Sequence, residues 1–116
     1  MALKVRAVVL GASYRGGVKE TAFSGVFPTV AALGEAGAEV LVHDPMYTDD
    51  ELAGFGWTAY HLGEPVDVAI VQADHPEYRE LTPADLPGLR LLLDGRRATE
   101  AARWAGVPRL TIGGGE

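Results

Sequence analysis

A glycine-rich turn that carries one aromatic and one basic side chain follows the first apolar run of the chain. Its residues are Gly11-Ala12-Ser13-Tyr14-Arg15-Gly16-Gly17, directly after Val8-Val9-Leu10. Glycine lets a backbone bend tightly and approach a ligand closely, and an arginine guanidinium can hold a phosphate through two hydrogen bonds. The pattern predicts a phosphate-binding corner after a buried strand. Because Ser13 stands where a dinucleotide fingerprint has its second glycine, the turn is a weak dinucleotide motif.

A second arginine follows a later apolar run, in Asp94-Gly95-Arg96-Arg97. If that run and the first one lie two positions apart in a parallel sheet, about 10 Å separates them. Arg15 and Arg96 can then converge on one diphosphate, with Tyr14 offering a ring face or a hydroxyl to the rest of a nucleotide. The alternative is that Arg15 is solvated and that Arg96 or Arg97 pairs with Asp94.

Three further polar residues follow predicted strands, and each allows two interpretations. Asp44 stands where a nicotinamide-binding domain has a ribose-binding carboxylate, but Ser13 weakens that motif, and a turn-forming Asp44-Pro45 is favoured. Asp74 and His75 are candidates for an acid and base pair, or for a pair that only fixes its loop.

Other reaction chemistries lack the residues that they need. The chain has no cysteine, which excludes disulfides, thiolate zinc sites and a cysteine nucleophile. His43, His61 and His75 show no metal-ligand spacing, so we expect no metal site. Ser13 and Ser24 do not stand in a GxSxG nucleophile elbow.

The elements that must position these residues alternate between strands and helices. Strands are predicted at about 4–10, 39–42, 57–60, 66–71, 89–93 and 109–112, and helical segments from about 24–27, from 48, at 82–85 and at 99–105. Ser24 is the predicted cap of the first helix, and Thr48 with Glu51 forms the capping box of the second. This alternation predicts an α/β fold: a three-layer, doubly wound, mostly parallel, Rossmann-like sheet of order 3-2-1-4-5, with its ligand in the crevice beyond the first and fourth strands.

Size and charge limit the partners of the chain. Its 116 residues are expected to form one domain, 1–116, and 10 basic against 16 acidic side chains give a net charge of -6. That charge disfavours nucleic acid and anionic membranes as partners. No apolar stretch approaches the roughly 18 residues of a membrane span, and the N-terminus does not read as a signal peptide, so the cytoplasm is the expected location.

Four segments in order resemble the C-terminal domain of the UDP-glucose/GDP-mannose dehydrogenase family. They are Leu10 to Gly25, Gly37 to Pro45, Val66 to His75, and Asp94-Gly95-Arg96. Within that family, the order Tyr14-Arg15-Gly16-Gly17-Val18 is most similar to the UDP-N-acetylmannosamine dehydrogenase type. Nearly the whole chain is covered by the resemblance.

The resemblance implies a function and a set of site residues. Family members use NAD to oxidise the C6 alcohol of a nucleotide sugar to a carboxylate, with a cysteine in another domain as nucleophile. An N-terminal domain binds most of the NAD, a central domain forms the dimer, and the C-terminal domain closes over UDP. By position, Tyr14 and Arg15 match the pair that touches the nucleotide and its phosphates, and Arg96 matches an arginine that binds UDP. The resemblance implies a UDP-sugar as ligand and no turnover by this chain alone.

One segment departs from the family pattern. Where the family often has Asp-Asp-x-Arg-Glu-Ser-Pro, this chain has Lys19 to Gly25, which retains Ser24 and replaces one acidic residue by Glu20. Ala22 stands in place of an arginine that lies near the NAD pyrophosphate in the family, so that cofactor contact is missing or is supplied differently.

Two alternatives remain open on the sequence. One is a stand-alone Rossmann-like module for NAD or CoA, which needs Asp44 to hold a ribose. The other is an assembly domain whose pocket no longer binds a nucleotide.

Overall fold

The described residues of this computed structural model, 4–13, 17, 19 and 24–111, form one parallel sheet with six strands. The strands are β1 (Arg6–Leu10), β2 (Glu39–His43), β3 (Thr58–Ala59), β4 (Val68–Val71), β5 (Leu91–Asp94) and β6 (Arg109–Thr111). Their order is β3-β2-β1-β4-β5-β6, and every neighbouring pair is parallel. The predicted order 3-2-1-4-5 is confirmed, with β6 added at the far edge.

The sheet is buried on both faces, as its continuous apolar runs predict. In β1, Val8 and Leu10 pack into the core on one face, and Val9 packs into the core on the other. All three side chains are fully buried. Because β1 is central, its carboxyl end is the point from which the chain can reach either side of the sheet.

The two faces are covered by different kinds of helix. Helices α1 (Val26–Glu35) and α2 (Asp49–Gly54) cover the Val9 face. The Val8 face is covered by 3-10 helices at Pro76–Glu80, Pro83–Asp85 and Ala101–Trp104 and by the residues next to them. The predicted three-layer fold is therefore confirmed, with 3-10 turns forming most of one outer layer. Within the described ranges, no helix has the length and apolar character needed to cross a bilayer.

The two helix starts differ in how well the sequence predicts them. The Thr48 hydroxyl accepts from the Glu51 amide at 3.1 Å and the Glu51 carboxylate accepts from the Thr48 amide at 2.8 Å, so the capping box is confirmed. At α1 the N-cap is Gly25, so the prediction of Ser24 as cap is off by one residue. Ser24 Oγ still accepts from the Val26 amide at 3.1 Å and donates to the Ser13 carbonyl at 3.2 Å.

The crevice expected from the strand order lies where β1 and β4 end side by side. The connection through α1 leaves β1 towards β2, whereas β4 continues towards β5 on the other face. Gly11 brings the two strand ends into close contact: its φ is +111°, and a Cβ built on it would lie 2.5 Å from the Cβ of Ala73. A glycine is required here both by backbone conformation and by space.

Candidate functional site

The predicted phosphate-binding turn is described at its two flanks. Tyr14, Arg15 and Ala22 lie outside the described residues, so the predicted convergence of Arg15 with Arg96 remains a prediction. Ala12 and Ser13 on one side, and Gly17 on the other, are described. Their hydrogen bonds show what holds the turn at the carboxyl end of β1.

The Asp44 carboxylate anchors the first flank of the turn. Its Oδ2 accepts from the Ala12 amide at 2.7 Å, from the Ser13 amide at 3.2 Å and from the Ser13 hydroxyl at 3.3 Å. Its Oδ1 accepts from the Met46 amide at 2.8 Å. Asp44 is only 3% exposed and is engaged by the protein itself, which favours the turn-holding interpretation over a ribose ligand.

His75 anchors the second flank and is bonded to the same carboxylate. Its Nε2 lies 2.7 Å from Asp44 Oδ2, and its Nδ1 accepts from the Gly17 amide at 3.0 Å. A backbone amide can only donate, so Nδ1 is unprotonated and Nε2 carries the proton that bonds Asp44. His75 is fully buried and pairs with Asp44 across the sheet edge rather than with its neighbour Asp74. His75 therefore fixes its loop, as the second of the two interpretations has it, with Asp44 as its partner in place of Asp74.

The charge of Asp44 follows from this network. Burial raises the pKa of its carboxyl, but hydrogen bonds from His75, Met46 and Ala12 outweigh burial and hold the pKa below its ordinary value. Asp44 is therefore a buried carboxylate in its ionised form at neutral pH, and its charge is matched by donors.

Arg96 lies over the carboxyl end of β4. Its Nη1 donates to the Gln72 carbonyl at 3.2 Å, and its Nη2 lies 3.7 Å from Asp74 Oδ1. The side chain is 36% exposed. The guanidinium extends from the end of β5 over the end of β4, and its partners are Gln72 and Asp74. The alternative in which the Arg96 side chain pairs with Asp94 is therefore wrong.

A second buried carboxylate, Asp94, holds the loop that carries Arg96. Its Oδ1 accepts from the Arg96 and Ala98 amides, each at 3.1 Å, and its Oδ2 accepts from the Thr99 amide at 2.9 Å and from the Thr99 hydroxyl. The Arg109 guanidinium lies 3.5 Å from Oδ2. Sequence reasoning assigned no role to Thr99 or Arg109, because nothing local marks them as partners of Asp94.

The departure at Gly25 has a structural counterpart. A Cβ built on Gly25 would meet Nε2 of Gln72, whose Oε1 accepts from the Thr29 hydroxyl at 2.7 Å. The backbone carbonyl of the same Gln72 accepts a hydrogen bond from Arg96 Nη1. Gly25 therefore lies next to Gln72, the residue that bonds Arg96. A larger residue at position 25 would have to displace the Gln72 side chain.

A cavity of about 340 Å³ lies beside this edge, at the ends of β2 and β3, lined in part by His43, Tyr60 and His61. Burial lowers the pKa of His43, whose Nδ1 lies 3.1 Å from the Tyr78 hydroxyl. His61 is exposed, and the hydrogen bonds that its ring donates to the Asp49 and Glu64 carboxylates raise its pKa. The part of the chain that the structure describes contains no group of three or more acidic, histidine or cysteine side chains that could hold a metal ion.

A scan against protein-family models matches residues 8–101 to the UDP-glucose/GDP-mannose dehydrogenase family, UDP binding domain. This span covers most of the chain. The chain belongs to this family. Among curated proteins no match is found.

Solved structures of UDP-N-acetyl-mannosamine dehydrogenases share the fold of this family member. Cap5O from Staphylococcus aureus has a TM-score of 0.75 at 17% identity over 93% of this chain, and its native structure has 0.74 at 17% over 94%. The enzyme from Pyrococcus horikoshii has 0.68 at 20% identity over 94%. This chain spans about a quarter of each of these proteins, 25–26% of their lengths.

Proposed function

We propose that this chain binds the UDP part of a UDP-sugar as one domain of an NAD-dependent dehydrogenase that oxidises the sugar to a UDP-uronic acid. The observation that carries the proposal is the position of Arg96. Its guanidinium donates to the Gln72 carbonyl, at the end of the strand that lies beside β1. The loop after β5 thus places the positive charge of Arg96 next to the crevice. The glycine-rich turn after β1 borders the same crevice.

The strand order explains why two arginines can share one ligand. β5 neighbours β4, and β4 neighbours β1, so β1 and β5 are two strand spacings apart, about 10 Å. Arg96 already crosses the end of β4. In the proposal, Arg15 approaches from the turn after β1, and the two guanidinium groups hold a diphosphate between them through paired hydrogen bonds.

The remaining roles follow from the family. Tyr14 contacts the nucleotide beside Arg15. NAD is bound mainly by an N-terminal domain and dimerisation is provided by a central domain, which agrees with relatives about four times as long. The 116 residues contain no cysteine, so the nucleophile that the family uses for sugar oxidation must come from another part of the enzyme. A cytoplasmic location and a role in polysaccharide biosynthesis belong to the same proposal.

Calorimetric titration with UDP and with NAD, each added alone, tests the proposal. We expect UDP to bind more tightly than NAD, and Arg15→Ala and Arg96→Ala each to weaken UDP binding by about tenfold or more, as expected for loss of a charge-assisted partner. Arg90→Ala is the matched control. This exposed arginine precedes β5, so it lies at the amino ends of the strands, opposite the crevice.

A comparison of ligands locates the diphosphate. If Arg96 contacts the phosphates, Arg96→Ala should weaken UDP binding far more than uridine binding. Tighter binding of NAD than of UDP would favour a dinucleotide or CoA module. An assembly domain would show no UDP binding that depends on Arg15 or Arg96.

A further inference from the structure

We propose that the side-chain amide of Gln72 is a further phosphate-binding group, and that glycine at position 25 makes room for it. The inference rests on the proposed function, in which Arg96 contacts a diphosphate. Gln72 binds the ligand in this proposal and takes no part in a chemical step.

Gln72 lies at the point where β1 and β4 end side by side. Its backbone amide donates to the Leu10 carbonyl at 2.8 Å, which extends the pairing of the two strands beyond their last residues. Its own carbonyl accepts from Arg96 Nη1 at 3.2 Å. In open α/β sheets, ligands bind beyond the carboxyl ends of the strands at the point where the strand order reverses. The backbone of Gln72 therefore borders the crevice and holds Arg96 beside it.

The Gln72 side chain turns towards the start of α1. Its Oε1 accepts from the Thr29 hydroxyl at 2.7 Å, and its Nε2 lies next to Gly25, the N-cap of the helix. A carboxamide has one acceptor oxygen and two N–H donors. Because the bond to Thr29 holds the oxygen, it also fixes the direction of the two donors. Among the described residues, none accepts a hydrogen bond from Nε2.

A phosphate oxygen is the acceptor that suits this amide. Gln72 is half-buried, and a buried donor without an acceptor costs free energy. A hydrogen bond to a charged acceptor is stronger than one to a neutral acceptor. Arg96 brings a positive charge to the same residue. A diphosphate in the crevice can therefore accept from Gln72 Nε2 through one oxygen and from Arg96 through another.

Gly25 leaves the amide in this position. A Cβ at position 25 would collide with Nε2, so any other residue displaces the Gln72 side chain. The φ of Gly25 is -70°, which every residue can adopt, so the backbone conformation does not require a glycine. The family pattern has proline at this position, and the Cβ of proline would fill the same space. Gly25 and Gln72 thus form a matched pair in which this chain departs from the family pattern.

Calorimetric titration with inorganic pyrophosphate and with UDP measures the contribution of the amide. Gln72→Met keeps the length of the side chain and removes both donors. We expect it to weaken binding of both ligands by about tenfold, the effect of losing a hydrogen bond to a charged group. Gln72→Glu keeps an acceptor for Thr29 but replaces the donors by a negative charge, so it should weaken binding more than Gln72→Met. Equal affinities of Gln72→Met and the unmodified chain would overturn the proposal.

Gly25→Ala displaces the same amide without changing its chemistry. We expect this variant to weaken binding of both ligands by about three- to tenfold, and to have no further effect in a chain that already carries Gln72→Met. Gly34→Ala is the matched control, because it lies in the same helix and an added Cβ meets nothing within 4 Å. Its affinities should equal those of the unmodified chain. If Gly25→Ala weakens binding by the same factor with and without Gln72→Met, the glycine does not act through the amide and the proposal is overturned.

The two ligands separate this inference from the proposed function. UDP binding that depends on Arg96 but not on Gln72 would overturn the inference and leave the function standing. Pyrophosphate binding that depends on Gln72, with UDP bound no more tightly than pyrophosphate, would support the inference and count against the function. Failure of the unmodified chain to bind either ligand would overturn both.

Discussion

Arg109 and Asp94 form an ion pair in which the carboxylate is fully buried. The Arg109 Nη2 atom lies 3.5 Å from Asp94 Oδ2, and Arg109 Nε donates at 3.0 Å to the Thr99 hydroxyl that bonds the same carboxylate. Asp94 also accepts from the Arg96 amide. The strand end, the arginine-bearing loop and the edge strand β6 are therefore linked through one charge.

The acid stability of the fold should depend on Asp94. Burial raises the pKa of Asp94, but hydrogen bonds from Thr99, Ala98 and Arg96 outweigh burial and lower the pKa below the ordinary value of 3.8. A lowered pKa in the folded state means that the unfolded state binds the proton more tightly. The stabilisation is fully present above pH 3.8 and is lost as the pH falls through the folded-state pKa.

Asp94→Asn tests this dependence. We expect the variant to lower the free energy of unfolding at pH 7 by about 2–4 kcal/mol, because the charge that matches Arg109 and the loop amides is removed. Urea unfolding at pH 7, 5, 4 and 3 should show a smaller loss of stability on acidification in the variant than in the unmodified chain. Parallel pH profiles would show that Asp94 does not carry the acid sensitivity.

Gly11 should tolerate alanine much less well than another glycine with positive φ. Gly11 and Gly37 have φ values of +111° and +94°, but only Gly11 has atoms within 4 Å of an added Cβ, with the Ala73 nitrogen at 2.7 Å. Gly37→Ala should cost about 1–2 kcal/mol from backbone strain. Gly11→Ala should cost about 1–3 kcal/mol more, because the ends of β1 and β4 must separate. Equal losses in urea unfolding would contradict the close approach.

Gly34 offers the opposite outcome. It lies within α1, is exposed, has no positive φ, and an added Cβ would meet nothing within 4 Å. Gly34→Ala should therefore raise the free energy of unfolding by about 0.5–1 kcal/mol, since glycine loses more backbone entropy in a helix than alanine. Gly54→Ala, at the last residue of α2, should act in the same direction with a smaller effect. Destabilisation by Gly34→Ala would contradict its place in the helix.

The sheet could be predicted from the sequence because its signals are local. Runs such as Val8-Val9-Leu10 are apolar without alternation, which indicates strands buried on both faces. The capping box of Thr48 and Glu51 lies within one helical turn and fixes where α2 begins. Right-handed crossovers then leave few possible strand orders.

The outer layer over the Val8 face was harder to predict. The 3-10 helix Pro76–Glu80, which buries Tyr78, is not among the helical segments that the sequence predicts. The helical segment that the sequence predicts at 99–105 is a 3-10 helix over Ala101–Trp104. Short segments of this kind are held by tertiary burial of one large side chain, which propensity does not reveal.

The partners of the buried carboxylates also could not be predicted from the sequence. The sequence places His75 next to Asp74, whereas the partner of His75 is Asp44, which follows another strand. Such a pair exists only once β2, β1 and β4 lie side by side. The resemblance identified the family and pointed to Arg96, whose position is described, and to Tyr14 and Arg15, which remain predictions.

Asp74 should oppose nucleotide binding. Its Oδ1 lies 3.7 Å from Arg96 Nη2 and its side chain is 48% exposed, so its charge competes with a diphosphate for the same guanidinium. We expect Asp74→Asn to tighten UDP binding by about two- to fivefold at low salt, the range of an exposed ion pair. The gain should shrink as salt is raised, because exposed charges are screened.

A charge-matched variant separates this local effect from net charge. Glu35→Gln removes one negative charge at the end of α1, near the amino ends of the strands and opposite the crevice. This variant should change UDP affinity little. Calorimetric titration of both variants with UDP at two salt concentrations provides the comparison. Weaker binding in Asp74→Asn would mean that Asp74 orients Arg96 towards the ligand rather than competing for it.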